Sequence, residues 1–119
     1  MSFPLPCRGG GKTVVHVHGN REAGGEFSTY AVHEKTFDDG NQLGLIVFQN
    51  GPVKEFGVNG MTEEDLINIC IHRLTCFQTG PYACEENDEA IKALKTARYY
   101  LNHRREQRQM RGVEGTSQV

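Results

Sequence analysis

Phe77-Gln78-Thr79-Gly80-Pro81-Tyr82-Ala83-Cys84-Glu85-Glu86-Asn87 leads into a long helical segment that ends at Arg111-Gly112-Val113-Glu114-Gly115-Thr116. Gly80-Pro81 stops one helix, and the acids that follow Cys84 suit the positive end of the next. The stretch therefore reads as the turn, second helix and glycine-punctuated exit of a helical hairpin. Ala90, Leu94, Ala97, Leu101, Arg104, Arg108 and Arg111 follow alternating steps of three and four, which places them on one helix face. That face begins apolar and finishes as a column of guanidinium groups. A packing seam that turns cationic points to an anion held at its far end.

Working back from the turn, Thr62-Glu63-Glu64-Asp65 opens the first helix, with Thr62 as cap and the acids at the positive end of the dipole. Its apolar face is Leu66, Ile67, Cys70, Ile71, Leu74 and Phe77. Upstream lie four stretches that read as strands: residues 13–18, 26–34, 43–49 and 53–58. They are separated by turn signals such as Asp38-Asp39-Gly40-Asn41 and Asn50-Gly51-Pro52. Residues 1–12, with Pro4, Pro6 and three consecutive glycines, read as a flexible leader. The expected organisation is one α+β domain: leader 1–12, a small antiparallel β-sheet over 13–60, a two-helix hairpin over 61–111 and a C-terminal tail over 112–119 whose end, Ser117-Gln118-Val119, is loose. The second helix is longer than a compact domain of this size needs, so its far end is expected to meet another subunit.

At 119 residues and 13.3 kDa, with 37% hydrophobic residues and no Trp, the chain can bury only a modest core. No run reaches the length of a membrane span, and Met1-Ser2-Phe3-Pro4 lacks the regions of a signal peptide, so a cytoplasmic protein with no membrane partner is expected. From Lys92 to Arg111 there are seven basic residues against Glu106 alone, a net of +6. That leaves −8 for the rest of a chain whose formal charge is −2. A basic helix end on an acidic body suits a localised anion pocket better than a nucleic-acid polymer.

No catalytic set stands out. Cys76 and His72 form an i, i+4 pair on the first helix, but no third group that would orient the base is visible. Cys7, Cys70, Cys76 and Cys84 lack paired metal-ligand spacing, so no metal or cofactor is expected and the thiols read as buried and reduced. His16 and His18 share one strand face as exposed positions, and Gly11-Lys12-Thr13 lacks the first glycine of a phosphate-binding loop. Binding has more support. Arg104 and Arg108, one turn apart, can fork onto phosphate oxygens. Phe77 and Tyr82 offer faces for a base, and Asn87 offers a donor and an acceptor. Each has a plain structural alternative: Phe77 in the hairpin core, Asn87 as a cap, the arginines as a solvated helix end. Turn and helix end lie far apart in one subunit and can share a ligand only if two subunits pack antiparallel.

Gly57-Val58-Asn59-Gly60, Glu64-Asp65-Leu66, His72-Arg73-Leu74, Cys76-Phe77-Gln78, Gly80-Pro81-Tyr82, Glu86-Asn87 and the Arg111–Thr116 exit together resemble the phage anti-Thoeris sponge proteins, whose hairpin domain is shared with anti-CBASS cyclic-dinucleotide sponges. The resemblance covers about residues 43 to 116. It implies a non-enzymatic decoy that binds cyclic ADP-ribose isomers (glycocyclic ADP-ribose) made by Thoeris TIR enzymes without cleaving them. It also implies a homo-oligomer, dimer or hexamer, with the signal in pockets at subunit interfaces. By position, Phe77 and Arg104 would sandwich the adenine, Asn87 would hydrogen-bond the ligand and Arg108 would meet the phosphates. The exit, with Arg111 and Thr116, would help close the pocket. Some relatives also hold cyclic trinucleotides in a second site of the hexamer, to which Lys54 would lie near. The rival readings are an enzyme that degrades the same signal and a plain helical interaction module.

Overall fold

A computed structural model describes residues 2–6, 11–36 and 40–119. Cys7, and Asp38 and Asp39 of the expected Asp38-Asp39-Gly40-Asn41 turn, lie outside the described residues. The chain forms two compact units, residues 1–61 and 62–119. An antiparallel sheet followed by helices makes the fold α+β, as the sequence implies.

The first unit is a four-stranded antiparallel sheet in the order β1 (Ser2–Pro4), β2 (Thr13–His18), β3 (Thr29–Glu34) and β4 (Gln42–Val47). Two strand assignments need correction. Ser2–Pro4, expected in the leader, pairs with β2 in the register Ser2↔His18 to Pro4↔His16. Pro4 is tolerated because β1 is a sheet edge, where a missing N–H costs no ladder bond. Val53–Phe56, expected as the fourth strand, is instead a one-turn helix, α1, entered through Pro52 and left through Gly57 at φ 71°. The sheet therefore has the expected number of strands with a different fourth member.

Among the described residues of this unit Val17 and Ala31 are the buried apolar side chains, and the rings of Tyr30 and Phe48 meet edge to face at 5.6 Å. His16 is half-buried rather than exposed, and its ring meets that of His33 edge to face at 5.2 Å. Strand β4 leaves Leu43, Leu45 and Val47 exposed on one face, Leu43 at 56% and Leu45 at 54%.

Residues 49–61 close into a loop through two amide side chains. Gln49 Nε2 donates to Gly57 O (2.8 Å), Gln49 Oε1 accepts from Asn59 N (2.9 Å), and Asn59 exchanges two bonds with the backbone of Asn50. Gly60 then passes so close to Phe48 that the chain can bridge Phe48 to Met61.

The second unit is a helical hairpin, α2 (Glu63–Phe77) and α3 (Glu85–Met110). A reciprocal capping box opens α2. Asp65 N donates to Thr62 Oγ1, and Thr62 N donates to Asp65 Oδ2 at 2.8 Å. Leu66, Ile67, Ile71, Leu74 and Phe77 turn inward as expected, with Ile71 buried, but Cys70 is exposed. Cys76 and Cys84 are also exposed free thiols, so the reading of the cysteines as buried fails at all three described positions.

A Cβ on Gly60 would meet the backbone of Phe48 and Gln49, which cannot rotate away as a side chain can. Gly60→Ala is therefore expected to cost about 1–3 kcal/mol by forced repacking. Urea unfolding against wild type checks this, and an unchanged midpoint would contradict the close approach.

Candidate functional site

The inward face of α3 runs through Asn87, Ala90, Ile91, Leu94, Arg98, Leu101, Asn102, Arg105 and Arg108. It is rotated from the expected one. Ala97, Arg104 and Arg111 are exposed, and Arg98 and Arg105 take the places assigned to Ala97 and Arg104. These longer side chains fix the hairpin register: Arg98 Nη1 donates to Asn68 Oδ1 at 2.9 Å, and the guanidinium of Arg105 pairs with Glu64. Glu64 has only 13% of its side chain exposed, so its charge needs that partner. Arg105 Nη1 also donates to Asn102 Oδ1 at 3.0 Å, which orients the guanidinium.

At the other end a single amide holds the turn. Gln78 Nε2 donates to Cys84 O and to Asp88 Oδ1, both at 2.8 Å. Gln78 Oε1 accepts from Cys84 N and from Asn87 Nδ2, both at 3.0 Å. Asn87 Nδ2 also donates to Tyr82 O at 3.3 Å. Both donors of Asn87 are thus spent within the turn, which leaves Oδ1 as the atom it can offer a ligand. Phe77 is half-buried, with the Tyr82 ring edge-on at 6.4 Å and the Arg73 guanidinium over its ring at 5.1 Å. An open apolar groove of about 720 Å³ runs along α2 between Asn68 and Phe77, with His72 and Cys76 in its wall.

The exit from α3 is ordered by backbone geometry. Val113 N donates to Arg108 O and Gly112 N to Gln109 O, both at 3.0 Å, and Gly112 sits at φ 73°. This is the Schellman closure of a helix, which favours glycine at that position, and it drives Val113 into the core. The Arg108 guanidinium then donates to the carbonyls of Val113 (3.1 Å), Thr116 (3.2 Å) and Gln118 (2.9 Å). Arg111 reaches Val119 O, and Thr116 Oγ1 donates to Val113 O. The tail expected to be loose is docked on Arg108, expected to meet phosphate, and on Arg111, expected to help close the pocket.

A cleft of about 190 Å³ lies beside this exit. It is lined by Thr62, Glu63 and Glu64 from the start of α2, Leu101, Arg104, Arg105 and Arg108 from α3, and Glu114 and Gly115. Of the six residues expected in the site, Arg104 and Arg108 come together here with the exit. Phe77 and Asn87 lie at the opposite end of α2, about 20 Å away along a helix of 15 residues. Sequence reasoning missed Arg73, Gln78, Glu64 and Arg105. The signal for the last two was present, because an acid in the capped first turn and a base near the end of the partner helix must meet in an antiparallel hairpin.

Residues 42–106 match the family model for the Acb2/Tad1 hairpin domain. The chain belongs to that family. The match takes in β4, α1, α2 and most of α3, and so includes Phe77, Asn87 and Arg104 but stops short of Arg108 and the exit. A curated relative, Thoeris anti-defense 1 of Bacillus phage SBSphiJ7, is 47% identical over 79 residues. The aligned part is 66% of this chain and 56% of the relative, so the chain spans a little over half of that protein. The matched residues carry the aromatic turn and Arg104 and Arg105 of the cationic cleft, while Arg108, Glu114 and Gly115 of the cleft lie beyond them.

Arg105 and Arg104 are adjacent but differ in what they do for the fold. Arg105→Ala strands the shielded Glu64 carboxylate and is expected to cost about 1–2 kcal/mol, moderated by the partial exposure of the pair. Arg104→Ala, at an exposed position, should stay within about 0.5 kcal/mol. Chemical denaturation of the two variants tests the order, and a larger loss for Arg104 would reverse the assignment.

Proposed function

We propose that the protein is a phage anti-defence sponge that binds a cyclic ADP-ribose signal of the Thoeris type and holds it uncleaved in the host bacterial cytoplasm. The support begins with the family and with the relative's name, Thoeris anti-defense 1. The observation that carries the ligand class is Arg104, a guanidinium in the wall of a cleft and, among the described residues, without a hydrogen-bond or ion-pair partner. An unpaired cation at a concave site beside two further guanidinium groups favours a phosphate. The aromatic and amide groups suited to a base, Phe77 and Asn87 Oδ1, belong to the same hairpin.

The cleft is too small for the whole ligand, since sites for molecules of that size occupy about 300–1,000 Å³. Its separation from Phe77 rules out one ligand bridging both within a copy. Two hairpins packed antiparallel bring Phe77 and Asn87 of one beside Arg104 of the other, so the proposed site is complete only in an oligomer. Exposed Ile69, Tyr99, Tyr100 and Met110 give the hairpin apolar surface for that packing. Binding without turnover is supported at the best candidate for a nucleophile. Cys76 Sγ lies 3.7 Å from His72 Nε2, and among the described residues no carboxylate or amide orients that imidazole. No helix among the described residues is long and apolar enough to cross a membrane.

Incubation with cyclic ADP-ribose followed by gel filtration and heat denaturation should retain the nucleotide and return it with unchanged mass. Sustained conversion to ADP-ribose would replace the sponge by an enzyme. Light scattering should give a multiple of 13.3 kDa, at least two, and a stable monomer would remove the shared site.

The two halves of the site should also respond differently to salt. Arg104→Ala should remove about 1.5–3 kcal/mol of binding, with the loss shrinking as salt rises. Phe77→Ala should cost about 1–3 kcal/mol with little salt dependence. Calorimetry at two ionic strengths, on variants shown to melt cooperatively, separates these outcomes.

A further inference from the structure

The cleft that contains Arg104 also contains carboxylates, and their partners sort them. Glu64 is taken by Arg105, and Arg108 is taken by the carbonyls of the exit. Glu63 stands exposed at the rim. Glu114 is different. It is half-buried, lines the cleft with three arginines, and among the described residues its carboxylate has no hydrogen-bond or ion-pair partner. Its position is not accidental, because the backbone on both sides is tied down. Val113 is buried with its carbonyl held by Arg108 and Thr116, and Gly115 continues the cleft wall.

A carboxylate held beside an anion site repels phosphate and weakens binding unless it gains a donor from the ligand. We infer that Glu114 is the acceptor for a ribose hydroxyl of the bound nucleotide, so that the cleft reads a sugar phosphate: Arg104 takes the phosphate and Glu114 the ribose hydroxyl. This rests on the sponge reading above and adds to it a specificity for ribose over deoxyribose. The chemistry has precedent in dinucleotide sites, where an acidic side chain accepts from the ribose 2′-hydroxyl. A hydroxyl–carboxylate bond is short and charge-assisted, and a site built for it rejects a ligand that lacks the hydroxyl. The cleft volume of about 190 Å³ suits a sugar phosphate rather than a whole cyclic dinucleotide. With both Arg104 and Glu114 unpartnered, the cleft presents one free cation and, inside the exposed Glu63 of the rim, one half-buried free acceptor.

The test titrates wild type, Glu114→Gln and Arg104→Ala with cyclic ADP-ribose and with its 2′-deoxy analogues on either ribose. Wild type should bind one of the two deoxy analogues about tenfold more weakly than the parent, and Glu114→Gln should lose about tenfold on the parent. The variant should no longer distinguish that analogue from the parent. Glu114→Gln binding as tightly as wild type, or more tightly through lost repulsion, overturns the inference. If Arg104→Ala still weakens binding in that case, the sponge reading stands alone. Equal binding of all three ligands to wild type overturns the inference without any variant. No binding of cyclic ADP-ribose by wild type removes both readings. Because Glu114 supports no other side chain, its variant should melt as wild type does, which a thermal scan verifies.

Discussion

Antiparallel register between α2 and α3 is the constraint on which the rest of the second unit depends. Two polar clamps set it, one at each end. Near the start of α2, Glu64 meets Arg105, and one turn further along Asn68 meets Arg98. At the turn, Gln78 bonds Cys84, Asn87 and Asp88 at once. Between them the apolar seam is thin, with Ile71 its buried residue and Val113 sealing the far end. Hydrophobic contact is non-directional and would tolerate a slip of one helical turn. A carboxylate shielded from water does not tolerate it, because a slip would separate Glu64 from its counter-charge.

The clamps also decide which groups remain for a ligand. Each arginine of α3 has been given a task by its phase on the helix. Arg98 and Arg105 face the partner helix, Arg108 faces the exit, and Arg104 faces the cleft with nothing to hold. The same sorting runs through the amides and acids. Asn87 has spent its donors, and Glu114 has spent nothing. A hairpin with so thin an apolar seam must use polar groups to specify its packing, so the unspent ones stand out as candidates for function.

The two units meet this problem of a small core in different ways. The sheet covers its centre with Val17, Ala31 and edge-to-face rings, yet leaves Leu43, Leu45 and Val47 bare on β4. The hairpin leaves Ile69, Tyr99, Tyr100 and Met110 bare. In each, apolar surface stays uncovered by the chain's own unit, and the exposed residues on β4 fall on one face, which is the pattern of a surface that another layer is meant to cover.

Much of this was legible in the chain itself. Gly80-Pro81 and the acids after it determined where one helix ends and the next begins, and Thr62 with Asp65 determined the entry to α2. Gly112 determined the exit, because the closure there places the backbone in the left-handed region. These are local effects, and local sequence is enough to read them. The fourth strand was not legible, because Ser2–Pro4 has no strand signal of its own and becomes one only by lying against β2. Nor was the helical turn at Val53–Phe56, where β-branched and aromatic residues suggested a strand but Gln49 and Asn59 close the chain into a loop. The rotation of α3 was the subtlest difference. An apolar stripe marks a face only to within a residue or so, and here Arg98 and Arg105 lie on its inner edge as long, amphipathic side chains. Their placement inward, and that of Arg104 toward the cleft, was decided by where Asn68 and Glu64 stand on the partner helix, a fact of tertiary structure that no single stretch contains.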